Sequence, residues 1–232
     1  MNRADNGAGL RSNELGVWGA GCVPDGRANE PGCSGASHVL SDGVVCLRAF
    51  RDADVEPMFR NWASDPEVTR YLTWEPHRDV GETREIMARW AAEGLAVDTP
   101  TWAIALERPL ESESSRASAA LAPFVPGEPI GSIGIVALDA ASRVPEIGYC
   151  IGRPWWHHGV TSRALALVIA DCFEHRGAPR VEAIHDVDNP RSGLVMQRCG
   201  MTLVSETPEL RDGSSFLRYA ITREAWQRLH AR

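Results

Sequence analysis

The run Glu146-Ile-Gly-Tyr149-Cys150-Ile151-Gly152-Arg-Pro-Trp-Trp156-His157-His158-Gly159-Val160-Thr161-Ser162, followed by an Ala-rich apolar stretch through Phe173, decides how this chain folds. A strand-like segment ends in a loop containing Pro and Gly, and that loop opens directly onto a helix. The helix is read from Leu165, Val168, Ile169, Cys172 and Phe173, which recur at i, i+3, i+4, i+7 and i+8 and share one face of a 3.6-residue period. Gly177 and Pro179 then stop it. Such a turn leaves backbone N–H groups unpaired at the positive end of the helix dipole, where they can hold a phosphate or diphosphate without any lysine. The expectation is a cradle for a nucleotide-bearing cofactor.

A lone glycine permits a tight turn for purely structural reasons, so a second signal matters. It is Asn189-Pro190-Arg191-Ser192 through Gly200-Met201, preceded by the strand-like 181–185. Asn189 reads as an N-cap, Pro190 as the first helical residue and Gly200 as a left-handed stop, which places Ser192 in the first turn of a short helix. Trp156-x-x-Gly159-x-Thr161, then a strand, then Asn189-x-x-Ser192 and Gly200-Met201, is similar to the GNAT superfamily of acyl-CoA N-acyltransferases. The opening Leu47-Arg48 to Asp52-x-Asp54, in which Asp52 reads as the cap of a helix through Trp62, and the closing Asp212-Gly213 to Tyr219 resemble its RimJ/RimL-like branch. The resemblance spans about residues 44–226. Trp156 holds the loop's first position, where the family usually has Gln or Arg, and Thr161 replaces its last small residue.

The resemblance implies an α/β (α+β) fold: a mixed, mostly antiparallel central sheet of about 6–7 strands, flanked by helices, with splayed central strands. It also implies an acetyl-CoA-dependent N-acetyltransferase moving an acetyl group directly to a primary amine. The amine-bearing acceptor is a protein N-terminus or a small molecule. Two alternatives stay open, an antibiotic- or metabolite-modifying enzyme and a non-catalytic acyl-CoA-binding module. Cofactor contacts are expected from Cys150, Ile151, Gly152, Trp156, His157, His158, Gly159, Val160, Thr161, Ser162 and Asn189. The backbone N–H of Cys150 or Ile151 is the candidate oxyanion donor. Glu146 is the candidate base, and Ser192 the candidate hydrogen-bond donor to the departing sulfur. Trp74, His77 and Tyr149 are the candidate acceptor-binding residues. A homodimer is compatible with the family.

Composition narrows the field. The chain of 232 residues carries a net charge of −7, and all 24 of its Lys/Arg cations are arginine. An acidic chain without basic clusters argues against nucleic acid or an anionic membrane as partner and suits cationic amines. Six dispersed cysteines without a C-x-x-C pair suit reduced thiols in the cytoplasm. The His157-His158 pair does not complete a metal-ligand spacing, so no metal is expected. Residues 1–38, rich in Gly, Asn, Ser and Ala, read as a disordered or passive extension to a single domain over 39–232, and 110–127 reads as a surface loop insertion.

Overall fold

The computed structural model describes residues 39–93, 99–110, 123–139, 141–211 and 213–231. The expected extension, 1–38, and most of the insertion, 110–127, therefore lie outside the described residues. Among the described residues nine strands form one sheet: β1 (Leu40–Ser41), β2 (Val45–Arg48), β3 (Thr101–Leu106), β4 (Pro129–Leu138), β5 (Pro145–Ile151), β6 (Arg180–Asp186), β7 (Thr202–Leu203), β8 (Glu209–Arg211) and β9 (Ser214–Thr222). Their order is β1-β2-β3-β4-β5-β6-β9-β7, with β8 also on β9. Every pair is antiparallel except β5 with β6. The sheet exceeds the expected strand number because β1, β7 and β8 have only two or three residues each, too short for an alternating pattern to show.

Six α-helices among the described residues flank it: α1 (Val55–Met58), α2 (Pro66–Thr69), α3 (Val80–Glu93), α4 (Val160–Glu174), α5 (Pro190–Arg198) and α6 (Arg223–His230). Strand alternation divides their packing. Ile147 and Ile151 join Leu165, Val168 and Phe173 of α4 in the main core. Cys150 turns to the opposite face and packs with Met58, Trp62, Ala63 and Val68.

Local signals carry these elements, with three corrections. The first helical segment is not capped by Asp52. Arg51 holds the N-cap position, and Asp54, three residues on, accepts the Arg51 N–H on its Oδ2 at 2.8 Å. It also forms a buried two-point ion pair with Arg48 (2.7 and 2.8 Å), which anchors the segment to β2. After Met58 the helix loosens into a π turn over Phe59–Ala63, where Ser64 N–H bonds back five residues to the Phe59 carbonyl. Asn189 occupies the N-cap position of α5, yet its side chain makes no capping hydrogen bond. Its backbone φ of −112° and ψ of 64° lie outside the extended conformation from which a side chain usually caps.

Candidate active site

The site grows from the one parallel junction. β5 and β6 pair only at Glu146 and Glu182, whereas β4 accompanies β5 all the way to Ile151. Above Glu146, then, the two central strands diverge. Backbone polarity in the gap follows from ladder parity. Gly152 N–H donates to the Ile130 carbonyl at 2.9 Å, so residues 148, 150 and 152 turn their N–H and C=O groups toward β4. Tyr149 and Ile151 turn theirs toward the gap. On the other side, Val187 N–H donates to the Ser215 carbonyl; this assigns 183 and 185 to β9 and leaves the backbone of Ile184 facing the gap. Unpaired backbone groups at a half-buried sheet opening need solvent or a ligand.

This parity corrects one expectation and sharpens another. The amide of Cys150 is committed to Ser132 of β4 and is not available to an oxyanion, whereas that of Ile151 faces the gap. The Ile151 carbonyl accepts from the Trp156 indole at 2.8 Å, so this tryptophan folds back onto the strand and shapes the loop. The Cys150 thiol lies 3.2 Å from Ser132 Oγ, and burial pushes its pKa up to about 11. It remains a thiol at neutral pH.

At the top of the gap stands the start of α4. His157 and Gly159 both take left-handed backbone conformations, with φ of 67° and 74°. Gly159 is the N-cap, and nothing lies within 4 Å of where its side chain would project. His157 is exposed and His158 half-buried. Val160, Thr161 and Ser162 form the first turn, with orphan amides, and Ser162 Oγ is buried without a hydrogen-bond partner. A turn with outward amides, open space beside a glycine and an unsatisfied hydroxyl fits a diphosphate, and the divergent backbone edges below fit an amide-bearing arm.

α5 closes the far side. A Cβ on Gly193 would fall 2.7 Å from His185 Nε2, so only glycine lets the first turn of α5 settle onto β6. Ser192 is thereby brought to the gap. Two contacts cross from the β5 arm to this turn: Tyr149 Oη lies 2.9 Å from Ser192 Oγ and 3.0 Å from the Ser192 carbonyl, and the Arg191 guanidinium stands over the Trp156 ring at 5.9 Å. The structure does not unite the three residues expected to bind the acceptor. Tyr149 lies on the α4/α5 face, while Trp74 packs with Met58 and Trp62 on the other. His77 is buried behind Trp74, its Nδ1 2.8 Å from Thr83 Oγ1; burial lowers its pKa.

At the vertex, Glu146 is 9% exposed and its Oε2 lies 2.9 Å from Arg218 Nη1. The same Nη1 reaches Glu182 Oε2 at 2.5 Å, and the rest of the guanidinium grips Glu209 at 2.6 and 2.8 Å. Arg180 pairs with Glu182 as well. Three carboxylates thus surround two guanidiniums. Sequence reasoning missed Arg218. Its only signal was a cation inside the apolar strand 216–221, and its partners come from register, since Arg218 stands opposite Ile184, two residues along β6 from Glu182, which itself pairs with Glu146.

A mixed sheet opens beside the parallel junction of β5 and β6 and is capped by a glycine turn at the start of α4. Residues 45–202 match the acetyltransferase (GNAT) domain, and the chain belongs to that family of N-acetyltransferases. It is 27% identical over 162 residues to the uncharacterized N-acetyltransferase YoaA of Bacillus subtilis (strain 168), covering 70% of this chain and 81% of that one. Its fold is shared with the ribosomal-protein alpha-N-acetyltransferase RimL in complex with coenzyme A (TM-score 0.64, 18% identity, 81% of this chain and 99% of that one). It is shared too with the microcin self-immunity acetyltransferase MccE in complex with acetyl-CoA and AMP (TM-score 0.61, 15% identity, 79% and 98%). Among the described residues no helix is long and apolar enough to cross a membrane.

Proposed function

We propose that this chain moves an acetyl group from acetyl-CoA directly to a primary amine within a ternary complex. The observation that carries this reading is the opening of β5 from β6 above Glu146, with the backbone of Tyr149 and Ile184 and the Ile151 N–H turned toward it. Acetyl-CoA supplies an activated acyl group on a thioester. The chain's own work is to hold and orient. Residues 157–162 and the first turn of α4 hold the diphosphate, and Asn189 and Ser192 border the arm from α5. The backbone of β5 aligns the acyl carbon, and the Ile151 N–H donates to the oxyanion as charge develops on it. Alignment of this kind can supply several kcal/mol of the barrier.

Acceptor binding is assigned to the face bearing α1–α3, where Trp74 packs against the cluster that holds Cys150. The Glu146, Glu182 and Glu209 carboxylates outnumber Arg218 and Arg180, which favours a cationic amine there, and Glu146 is the group proposed to take its proton. Direct transfer is favoured over an acyl-enzyme because the Cys150 thiol is held protonated.

Calorimetric titration with acetyl-CoA, against desulfo-CoA and ATP, tests the cofactor. Saturable acetyl-CoA binding that ATP does not reproduce is expected, and its absence refutes the cradle. Thiol release across a panel of peptides and small amines then tests the reaction. Turnover of peptides alone favours a protein N-terminus, and turnover of small amines alone favours a metabolite or antibiotic. Binding with no release anywhere would mean a non-catalytic module.

A further inference from the structure

Tyr149 leaves β5 just above the last residues paired with β6 and carries its hydroxyl across the gap to the first turn of α5. Forty-three positions separate it from Ser192 in sequence. Its ring packs against the main core, and burial raises its pKa, so the phenol keeps its proton. That one proton has two acceptors in reach, the Ser192 carbonyl at 3.0 Å and Ser192 Oγ at 2.9 Å. When the phenol donates to Oγ, the serine's own O–H can no longer point back at the tyrosine. It is then turned toward the gap as a donor.

We infer that Tyr149 is a positioning residue that aims the Ser192 hydroxyl at the sulfur of the departing thiolate. The inference rests on the reading above that the thioester lies between β5 and β6. As the C–N bond forms and the C–S bond breaks, the electron pair stays on sulfur. Of the two protons the acceptor's ammonium gives up, one finally rests on sulfur and the other goes to solvent. The hydroxyl pair supplies neither. An ordinary phenol titrates near ~10 and a thiol near ~8.5, and burial moves Tyr149 further from the thiol, so proton transfer from the pair would run uphill. The pair stabilises the thiolate by a charge-assisted hydrogen bond. A tyrosine delivered from the strand thus meets a helix, 190–198, that contains none of its own.

The test compares the full chain with its Tyr149→Phe, Ser192→Ala and doubly substituted forms. Phenylalanine preserves the ring packing and removes only the hydroxyl. At pH 9, where free thiol is largely thiolate, the unaltered protein should bind CoA about 10-fold more tightly than desulfo-CoA, the worth of one hydrogen bond to a charged group. Tyr149→Phe should abolish that preference while leaving desulfo-CoA affinity intact. It should also lower kcat about 10-fold with KM for acetyl-CoA little changed, and the double substitution should be no worse than Ser192→Ala alone. An undiminished preference and kcat in Tyr149→Phe would overturn the inference, as would equal loss of CoA and desulfo-CoA, the mark of a purely structural strap. If the unaltered protein bound neither compound, the underlying cofactor reading would fall, and this inference with it.

Discussion

Substituting Gly159 separates two things that a glycine at this turn can provide, backbone conformation and empty space. With φ at 74°, alanine would be held in the left-handed region at a cost of about 1–2 kcal/mol. For a domain of this size that corresponds to a Tm lowered by roughly 3–6 °C. Asparagine tolerates the conformation better and should lower Tm by only about 1–2 °C. In either variant the added Cβ meets no protein atom within 4 Å. Both would occupy the space assigned to the diphosphate. Loss of one charge-assisted amide contact is worth about 1.5–3 kcal/mol, so the acetyl-CoA Kd should rise about 10- to 100-fold in both variants. Gly177, with φ of 69° and equally open surroundings past the far end of α4, serves as the control: Gly177→Asn should leave Kd unchanged. Scanning calorimetry and titration calorimetry read the two quantities. A Gly159→Asn protein that binds acetyl-CoA like the unaltered one would refute the placement of the diphosphate at this turn.

Glu146→Gln should lower turnover at pH 7 at least 10-fold while acetyl-CoA affinity holds; if Glu146 takes the amine's proton, the deficit shrinks as pH approaches the acceptor's own pKa, and a deficit independent of pH would leave it a purely electrostatic part. Cys150→Ala should retain turnover within about 3-fold, judged by steady-state thiol release, because a buried thiol titrating at about 11 is no nucleophile at neutral pH; complete loss in a folded variant would reopen the acyl-enzyme route. His77 has its folded pKa depressed by burial, so the unfolded chain binds the proton more readily. Its contribution to stability is present above the unfolded value near ~6.5 and is lost as pH falls below it. Urea unfolding at pH 7.5 and pH 5.5 should show this decline, and His77→Asn should flatten it. An unchanged slope in His77→Asn would place the pH dependence elsewhere.

Much of the architecture was legible in the chain because its signals are local. The apolar spacing of Leu165, Val168, Ile169, Cys172 and Phe173 marked α4, and all five are buried in the main core. Gly200 and Gly177 take the left-handed conformations expected of helix stops. Legibility failed where a choice depended on a partner distant in sequence. Asp52 has the residue type of a cap, yet Arg51 holds the N-cap position, and Asp54, fixed by Arg48 of β2, accepts the cap's N–H. Asn189 has the residue type of a cap without its geometry.

The candidate site divides the same way. Sequence alone determined that a strand, a glycine turn and a helix follow one another at 146–174, and that Ser192 opens another helix, because backbone propensities and side-chain periodicity act within a few residues. Only the tertiary structure decided which amides of β5 face the gap, since that is a matter of ladder parity against β4. It alone placed Tyr149 on Ser192 rather than beside Trp74, and Arg218 between Glu146 and Glu182. Those pairings are set by strand register and by how closely α5 can approach β6 over Gly193, and no local propensity encodes the meeting of side chains that lie dozens of residues apart.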